Sequence, residues 1–130
     1  MIVIDASAMV EALVGRDIEP EFLDAPSGDV DAPDLLDVEV ISVLRGLELG
    51  HKLAPVVAEQ ARQDHFAFTI TRHGLEPFAE RIWQLRHQFT AYDASSLSLA
   101  EAMALPLYTC DAKLAAGGHT AEVRVISRSH

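Results

Sequence analysis

Several features that would indicate a secreted, membrane-spanning or zinc-binding protein are missing from the sequence. Its single cysteine, Cys110, cannot form an internal disulfide bond, and we expect it to be a buried, inert thiol. No apolar run approaches the length of a membrane span, and the first residues lack the basic and long apolar segments of a signal peptide. The six histidines are scattered without the spacing of a zinc finger or zinc protease. We therefore expect a cytoplasmic protein with no membrane segment.

Basic residues are scarce in the first third of the chain. Residues 1–40 contain eleven acids and one base, Arg16, whereas residues 41–130 contain nine of each, so the first segment accounts for the net charge of −10. An acidic surface repels nucleic acid. A nucleic-acid enzyme is therefore compatible with this sequence only if metal ions neutralise the acids at its site and the later bases face the substrate.

What the sequence does contain predicts one α/β domain spanning residues 1–130. With 49% hydrophobic residues, the chain is long enough to enclose a core. Short apolar runs alternate with longer segments of helical periodicity, which is typical of a parallel sheet covered by helices. Strands are predicted at 2–4, 66–71, 107–110 and 123–126. Helices are predicted at 6–14, 33–49, 55–65, 75–88 and from 92 onward, with a short acidic helix at 21–24 followed by a turn.

Two of the predicted strands run directly into an aspartate. The first ends at Asp5, with Ser7 close behind it, and the strand at 107–110 ends at Asp111. Because the carboxyl ends of parallel strands meet at one edge of a sheet, the two acids should converge there. Asp93 opens a helix and is expected as its N-cap or a first-turn residue, so a capping role alone would also explain it.

Glu39 is the acid on the apolar face of the helix predicted at 33–49. At about 100° per residue it shares that face with Leu36 and Val43, whereas Asp37 lies on the opposite side. A lone buried carboxylate costs several kcal/mol unless it is protonated, paired or bound to a cation. The position therefore favours a metal or catalytic role over an ion pair with another segment.

The candidate site consists of four acids, Asp5, Glu39, Asp93 and Asp111, with Ser7 and Thr109 as neighbouring hydroxyls. Two carboxylates about 4 Å apart repel each other by roughly 4 kcal/mol at an effective dielectric of about 20. Shared protons or cations relieve such repulsion. An all-oxygen ligand set favours Mg²⁺ or Mn²⁺ over zinc.

In their order along the chain, the motifs that carry these residues resemble the PIN-domain ribonucleases, and specifically the VapC toxins of bacterial toxin–antitoxin pairs. The motifs are IVIDAS at 2–7, APDLLDVEV at 32–40, AYDA at 91–94, LAEA at 99–102 and LYTCDAKLA at 107–115. Each is weak alone, but together they are specific and cover nearly the whole chain.

The resemblance implies a three-layer α/β/α fold with a central parallel sheet and a homodimer. It also implies Mg²⁺- or Mn²⁺-dependent endonuclease action on RNA, and inhibition by a small VapB-like antitoxin that occupies the active-site groove. The four acids match the family's acidic quartet by position, and the two hydroxyls match its hydroxyl positions. For the mechanism, Asp5 and Asp93 are expected as direct metal ligands, Glu39 and Asp111 as completing the shell, and Lys113 as a possible phosphate contact.

Two other functions remain open from the residues. A haloacid-dehalogenase-like phosphatase also begins with a strand that ends in aspartate, but it requires a second aspartate two residues later, where this chain has Ser7. The non-catalytic alternative is a phosphoacceptor receiver domain or an α/β interaction module that uses its acids to hold one structural cation. A receiver domain would place an acidic pair at the end of the first strand, where Asp5 has no such partner. For each of the three functions, ribonuclease, phosphatase or interaction module, one further prediction holds. The helices at 33–49 and 55–65 contain more apolar residues than one buried face needs, which predicts a partner surface there.

Overall fold

Five parallel strands form the centre of the molecule in a computed structural model that describes residues 1–24 and 28–130. The strands follow the order β3-β2-β1-β4-β5, and every neighbouring pair is parallel. They are β1 (Ile2–Ile4), β2 (Val30–Pro33), β3 (Ile70–His73), β4 (Leu107–Thr109) and β5 (Val123–Val125). Since the first strand lies in the middle, the acids that follow β1 and β4 come out side by side, as predicted.

Within the described residues, six helices cover the two faces of this sheet. They are α1 (Ala6–Val14), α2 (Pro20–Asp24), α3 (Leu36–Leu49), α4 (Pro55–Ala67), α5 (Ala79–Gln84) and α6 (Ala91–Met103), joined by 3-10 turns at Glu76–Phe78 and Ala112–Ala115. Ile2 and Ile4 pack with α1, α3 and α4, whereas Val3 packs with α5 and α6 on the other face. The predicted three-layer α/β/α arrangement is confirmed. No helix in these described ranges is both long and apolar enough to cross a membrane.

The first turn of the fold matches the sequence prediction. Helix α1 spans the predicted residues 6–14, and Asp5 caps it by accepting the Ala8 N–H at 3.0 Å. Gly15 ends the helix, with its N–H donating to the Glu11 carbonyl. Because Asp5 is both the last residue before the helix and its cap, strand and helix together fix where its carboxylate lies.

Strand β2 was missed, and the predicted helix start at Pro33 is wrong. Val30–Pro33 lies between β1 and β3, and helix α3 begins only at Leu36. The strand's alternation was hidden by Asp31, a buried carboxylate that pairs with His73 at 2.9 Å. An unpaired carboxylate is costly to bury, so the presence of Asp31 argues against a buried strand unless its partner is known. The turn predicted after α2 falls on residues 25–27, outside the described residues.

Three other boundaries differ from prediction. Helix α4 continues to Ala67, so β3 lies at Ile70–His73 rather than at 66–71. The helix predicted at 75–88 is a 3-10 turn followed by the short helix α5. Helix α6 is capped by Thr90, whose hydroxyl accepts the Asp93 N–H at 3.2 Å. Asp93 is therefore a first-turn residue rather than the N-cap.

Candidate active site

Asp5 is held at the carboxyl end of β1 by both predicted hydroxyls. Its Oδ1 accepts the Ser7 hydroxyl at 2.7 Å and the Ala8 N–H at 3.0 Å, and its Oδ2 accepts the Thr109 hydroxyl. Burial raises the pKa of Asp5, the three hydrogen bonds oppose that effect, and the charge of Asp93 adds to it, so the pKa lies above its usual range. The carboxylate is thus fixed in orientation while its ionised form is disfavoured.

The same hydroxyls join the end of β1 to the end of β4. Ser7 Oγ accepts the Cys110 N–H at 2.8 Å, and Thr109 Oγ1 accepts the Asp111 N–H at 3.0 Å. Two adjacent strand ends therefore share one hydrogen-bonded unit, and this unit determines where Asp111 leaves the sheet. Cys110 is half-buried there, and burial together with the charge of Asp5 raises its pKa to about 11, so the thiol stays protonated at neutral pH.

Asp93 and Asp111 form the second half of the site. Burial and then the charge of Asp111 raise the pKa of Asp93, while Lys113 and a hydrogen bond with Thr90 act in the opposite direction. Asp111 caps the 3-10 turn that follows it, accepting the Lys113 N–H at 3.0 Å, and the Lys113 ammonium lies 3.7 Å from its other oxygen. The side chain of Lys113 is exposed, so it has the freedom to contact a phosphate near these acids.

Glu39 completes the cluster from helix α3. It is half-buried in the first turn of the helix, and burial followed by the charges of Asp5 and Asp93 raises its pKa to about 7. A carboxylate with this pKa exchanges a proton near neutral pH, which is the property of a general base or acid. The helical period thus separated Glu39 from Asp37 correctly. All four predicted acids lie at the carboxyl edge of the sheet.

Asp37, two residues earlier, has a structural environment instead. It accepts hydrogen bonds from Arg72 at 2.8 Å and from His65 at 2.7 Å, and the His65 side chain is fully buried. Burial alone would raise the pKa of Asp37, but the hydrogen bonds and charges of these two partners outweigh it and hold the pKa below its usual range. Asp37 therefore ties α3 to α4 and β3, and it does not simply face solvent as its position on the helix predicted.

The sequence analysis missed two features close to the acids. The Thr90 cap could have been found, because a threonine three residues before Asp93 is a standard N-terminal signal. The ion pair between Asp31 and His73 spans 42 residues of sequence. No local pattern predicts such a pair, so it becomes visible only when β2 and β3 lie side by side.

Comparison with known proteins identifies the family. No family model matches the chain. Among curated proteins, Ribonuclease VapC12 of Mycobacterium tuberculosis (strain ATCC 25618 / H37Rv) is 33% identical over 98% of this chain and 100% of its own length. Ribonuclease VapC1 of the same strain is 36% identical over 95% of this chain and 96% of its own length. The chain belongs to the VapC ribonuclease family.

Solved structures agree with this family at the level of the fold. PAE2754 from Pyrobaculum aerophilum superimposes with a TM-score of 0.66 at 20% identity, covering 87% of this chain and 81% of that one. VapC20 of Mycobacterium tuberculosis, described as a sarcin-ricin loop cleaving toxin, gives 0.67 at 14% identity, covering 92% and 97%. These identities show the fold alone, which is the three-layer α/β/α PIN domain that the sequence predicted.

Proposed function

We propose that this chain is the toxin of a VapBC toxin–antitoxin pair and hydrolyses RNA phosphodiester bonds at Asp5, Glu39, Asp93 and Asp111. The observation that carries the proposal is the convergence of acids from the ends of β1 and β4 and from the first turns of α3 and α6, where burial and the charges of Asp5 and Asp93 raise the pKa of Glu39 to about 7. Structural acids are normally paired, as Asp37 is, whereas this cluster accumulates negative charge at a strand edge where chemistry collects. The family membership supplies RNA as the substrate class.

A divalent cation, Mg²⁺ or Mn²⁺, is the proposed cofactor. The donor chemistry fits it, since the four acids and two hydroxyls offer only oxygen atoms. Over residues 1–24 and 28–130, no three His, Cys, Asp or Glu side chains converge closely enough to hold an ion as they stand. Binding would therefore require side-chain rotations, for which half-buried Glu39, Asp93 and Asp111 have more freedom than Asp5. When bound, such a cation neutralises carboxylates, acidifies a coordinated water and stabilises the leaving oxygen.

The four acids and Lys113 have separate proposed roles in the reaction. Asp5, oriented by its hydroxyl partners, and Asp93 are the proposed direct ligands. Glu39 is the proposed acceptor of the proton of the attacking water, because it lies half-buried beside the acids that hold the cation. Asp111 completes the ligand set, and the Lys113 ammonium contacts the phosphate of the substrate.

The proposed partners are a VapB-like antitoxin and a second copy of the chain. Helices α3 and α4 expose an apolar patch, the α3–α4 patch, formed by Val38, Ile41, Val56 and Val57, with Val38 70% and Val56 76% exposed. Large apolar side chains at such exposure are typical of a partner surface. We propose that dimerisation and antitoxin binding occur there or close by. Light scattering of the purified protein and of its native operon product tests both associations, and a clean monomer with no co-purifying partner would contradict them.

The direct test of the activity is cleavage of total cellular RNA in the presence of Mn²⁺, followed by mapping of the new 5′ ends. We expect discrete ends that disappear when a chelator is added. A chromogenic phosphate ester should not be turned over, which separates the proposal from a haloacid-dehalogenase-like phosphatase. Neither cleavage nor ester hydrolysis would leave the non-catalytic metal-binding module as the better description.

A further inference from the structure

A cavity of about 110 Å³ lies beneath the carboxyl ends of β2 and β3, against helices α5 and α6. Its walls are apolar, and Pro33, Leu75, Phe78, Ile82 and Leu99 supply most of them. Three polar side chains also line it, those of Asp34, His73 and Ser95. A concave apolar site with a few polar groups is the usual form of a small-ligand pocket in proteins.

The cavity adjoins the acidic site through two helices. Leu35, which lines the cavity, accepts the Glu39 N–H at 3.0 Å in the first turn of α3. Ser95 lies two residues after Asp93 in α6, and its hydroxyl donates to the Tyr92 carbonyl at 2.6 Å. Helix α6, which carries Asp93, and the N-cap residue of α3, which carries Glu39, thus also contribute to the wall of the cavity.

The polar groups of the cavity are held in place. His73 Nε2 lies 2.9 Å from Asp31, whose side chain is buried, and the Phe78 ring packs edge-on against the imidazole at 6.4 Å between centroids. The His73 side chain is still 26% exposed, so its outer edge is accessible. Asp34 is exposed at the rim, and its N–H donates to the His73 carbonyl at 2.9 Å. The His73 ring and the Asp34 carboxylate thus lie at the rim of a cavity whose interior is apolar.

We propose that this cavity binds one pyrimidine base of the RNA substrate, cytosine in preference to uracil, beside the cleaved bond; the inference rests on the proposed ribonuclease function. Apolar walls that include an aromatic ring suit the flat face of an unstacked base. An apolar cavity of about 150 Å³ encloses benzene, so a cavity of about 110 Å³ is too small for the two rings of a purine, and a single pyrimidine ring would enter it with one edge left in the open mouth.

The charge at the rim selects between the possible occupants. The Asp34 carboxylate repels phosphate, which excludes the sugar-phosphate backbone from the cavity. It accepts a hydrogen bond from the N4 amino group of cytosine, as Asp and Glu do in base recognition. Uracil presents a carbonyl oxygen at that position, and two acceptors facing each other are unfavourable. Asp34 is therefore the proposed specificity-determining residue.

The first experiment does not depend on cleavage. Cytidine, uridine and adenosine are titrated separately into the protein in chelator, and the methyl NMR signals of Ile82 and Leu99 are followed. Cytidine should shift both signals, and uridine and adenosine should bind at least about threefold more weakly. Asp34→Asn should remove the difference between cytidine and uridine, since an amide both donates and accepts. No shift of these methyl signals with any of the nucleosides would overturn the proposal.

A blocking variant and its matched control sharpen this result. Leu75 lines the cavity and is 49% exposed, so Leu75→Trp can fill the mouth without disturbing the core. Leu49, 57% exposed at the end of α3, does not line it and takes the same substitution. Leu75→Trp should weaken cytidine binding about tenfold or more, the size of a lost base-stacking contact, while Leu49→Trp binds like the wild type. Equal binding by both variants would place the nucleoside elsewhere.

Single-turnover cleavage then connects the cavity to the reaction. An RNA with one mapped cleavage site is prepared with cytosine, uracil or no base at each flanking nucleotide in turn. Leu75→Trp should lower cleavage of the cytosine substrate about tenfold and leave the abasic substrate unchanged. Equal loss on both substrates would show a structural effect and overturn the proposal, as would cleavage without base preference. Methyl shifts without any cleavage of RNA would instead contradict the ribonuclease function and leave the base site standing.

Discussion

Helix α3 carries two acids, Asp37 and Glu39, that are two residues apart and have opposite environments. Asp37 faces β3 and α4, where Arg72 and His65 lower its pKa below the usual range. Glu39 faces the carboxyl edge of the sheet, where burial and two further carboxylates raise its pKa to about 7. Both positions are half-buried. Burial raises the pKa of both groups, but hydrogen bonds and charges of Arg72 and His65 outweigh it at Asp37, whereas the charges of Asp5 and Asp93 add to it at Glu39.

This contrast separates an acid that stabilises the fold from acids that perform chemistry. Each oxygen of Asp37 accepts a hydrogen bond from a cationic or imidazole donor, so this carboxylate is fully paired. The Glu39 cluster has Asp5 and Asp93 as its nearest charged influences, and both are negative. Bringing several carboxylates together disfavours their ionised forms and costs folding free energy. Their presence at the carboxyl edge of the sheet therefore indicates a function that uses the negative charge.

The largest expected effect concerns catalysis. Glu39→Gln should lower metal-dependent RNA cleavage at least about a hundredfold, because the amide cannot accept the proton of the attacking water and binds a cation poorly. The measurement is single-turnover cleavage at saturating Mn²⁺, with circular dichroism to confirm folding. Glu48→Gln is the matched control, since it makes the same substitution further along α3.

The assignment of the two acids would be contradicted if Glu39→Gln behaved as expected for Asp37→Asn, and Asp37→Asn as expected for Glu39→Gln. Full activity of Glu39→Gln, combined with a strong loss in Asp37→Asn, would mean that the catalytic acid of α3 had been assigned to the wrong side of the helix. Loss of activity in Glu48→Gln would point to a general effect of charge on α3.

The second expected effect is on stability. Asp37→Asn should lower the free energy of unfolding by about 1–3 kcal/mol, because Arg72 and the fully buried His65 lose the charge of their shared partner. RNA cleavage by this variant should stay within a few fold of the wild type below its melting temperature. Urea unfolding measures the first quantity and single-turnover cleavage the second. An unchanged unfolding midpoint would show that the cluster contributes nothing to the fold.

Much of the active edge could be predicted, because its signals are local. A strand that runs into Asp5, and another that runs into Asp111, place two acids at one edge as soon as the sheet is parallel. The period of α3 decides between Asp37 and Glu39 even though the predicted helix began at Pro33, three residues early. An error at the end of a helix does not change which residues within it share a face.

What could not be predicted depends on contacts between distant segments. Strand β2 was not predicted because the partner of its buried Asp31 is His73 on another strand, and the role of Asp37 depends on Arg72 and His65 from two other elements. A carboxylate with no recognisable partner in the sequence is predicted to be exposed, because acids are almost never fully buried unless they are paired. The residues whose environment was not predicted are accordingly those whose side-chain partners are distant in the sequence.

A smaller effect is expected from relieving the repulsion within the site. Asp93→Asn should raise the melting temperature of the metal-free protein by about 2–5 °C, because one negative charge beside Asp111 and Glu39 is removed. The same change should abolish RNA cleavage. Added Mg²⁺ should stabilise the wild type more than the variant, which differential scanning calorimetry measures. Equal shifts in both proteins would show that Asp93 takes no part in metal binding.

The last expected effect is a pH dependence that distinguishes Glu39 from an ordinary acid. Its pKa is raised from 4.5 to about 7 by folding, so between these values the folded state holds a proton that the unfolded chain releases. This contribution to stability is fully present below pH 4.5 and is lost as the pH rises through 7.

Glu39→Gln lacks that proton equilibrium. In urea unfolding with chelator at pH 5, 6, 7 and 8, the variant should therefore gain stability relative to the wild type as the pH rises, and the gain should level off above the pKa of Glu39. Glu48→Gln removes one charge from the same helix and should show no such rise. A difference between Glu39→Gln and the wild type that stays constant from pH 5 to 8 would mean that neither burial nor the charges of Asp5 and Asp93 raise the pKa of Glu39. The contrast with Asp37 would then be one of hydrogen bonding alone.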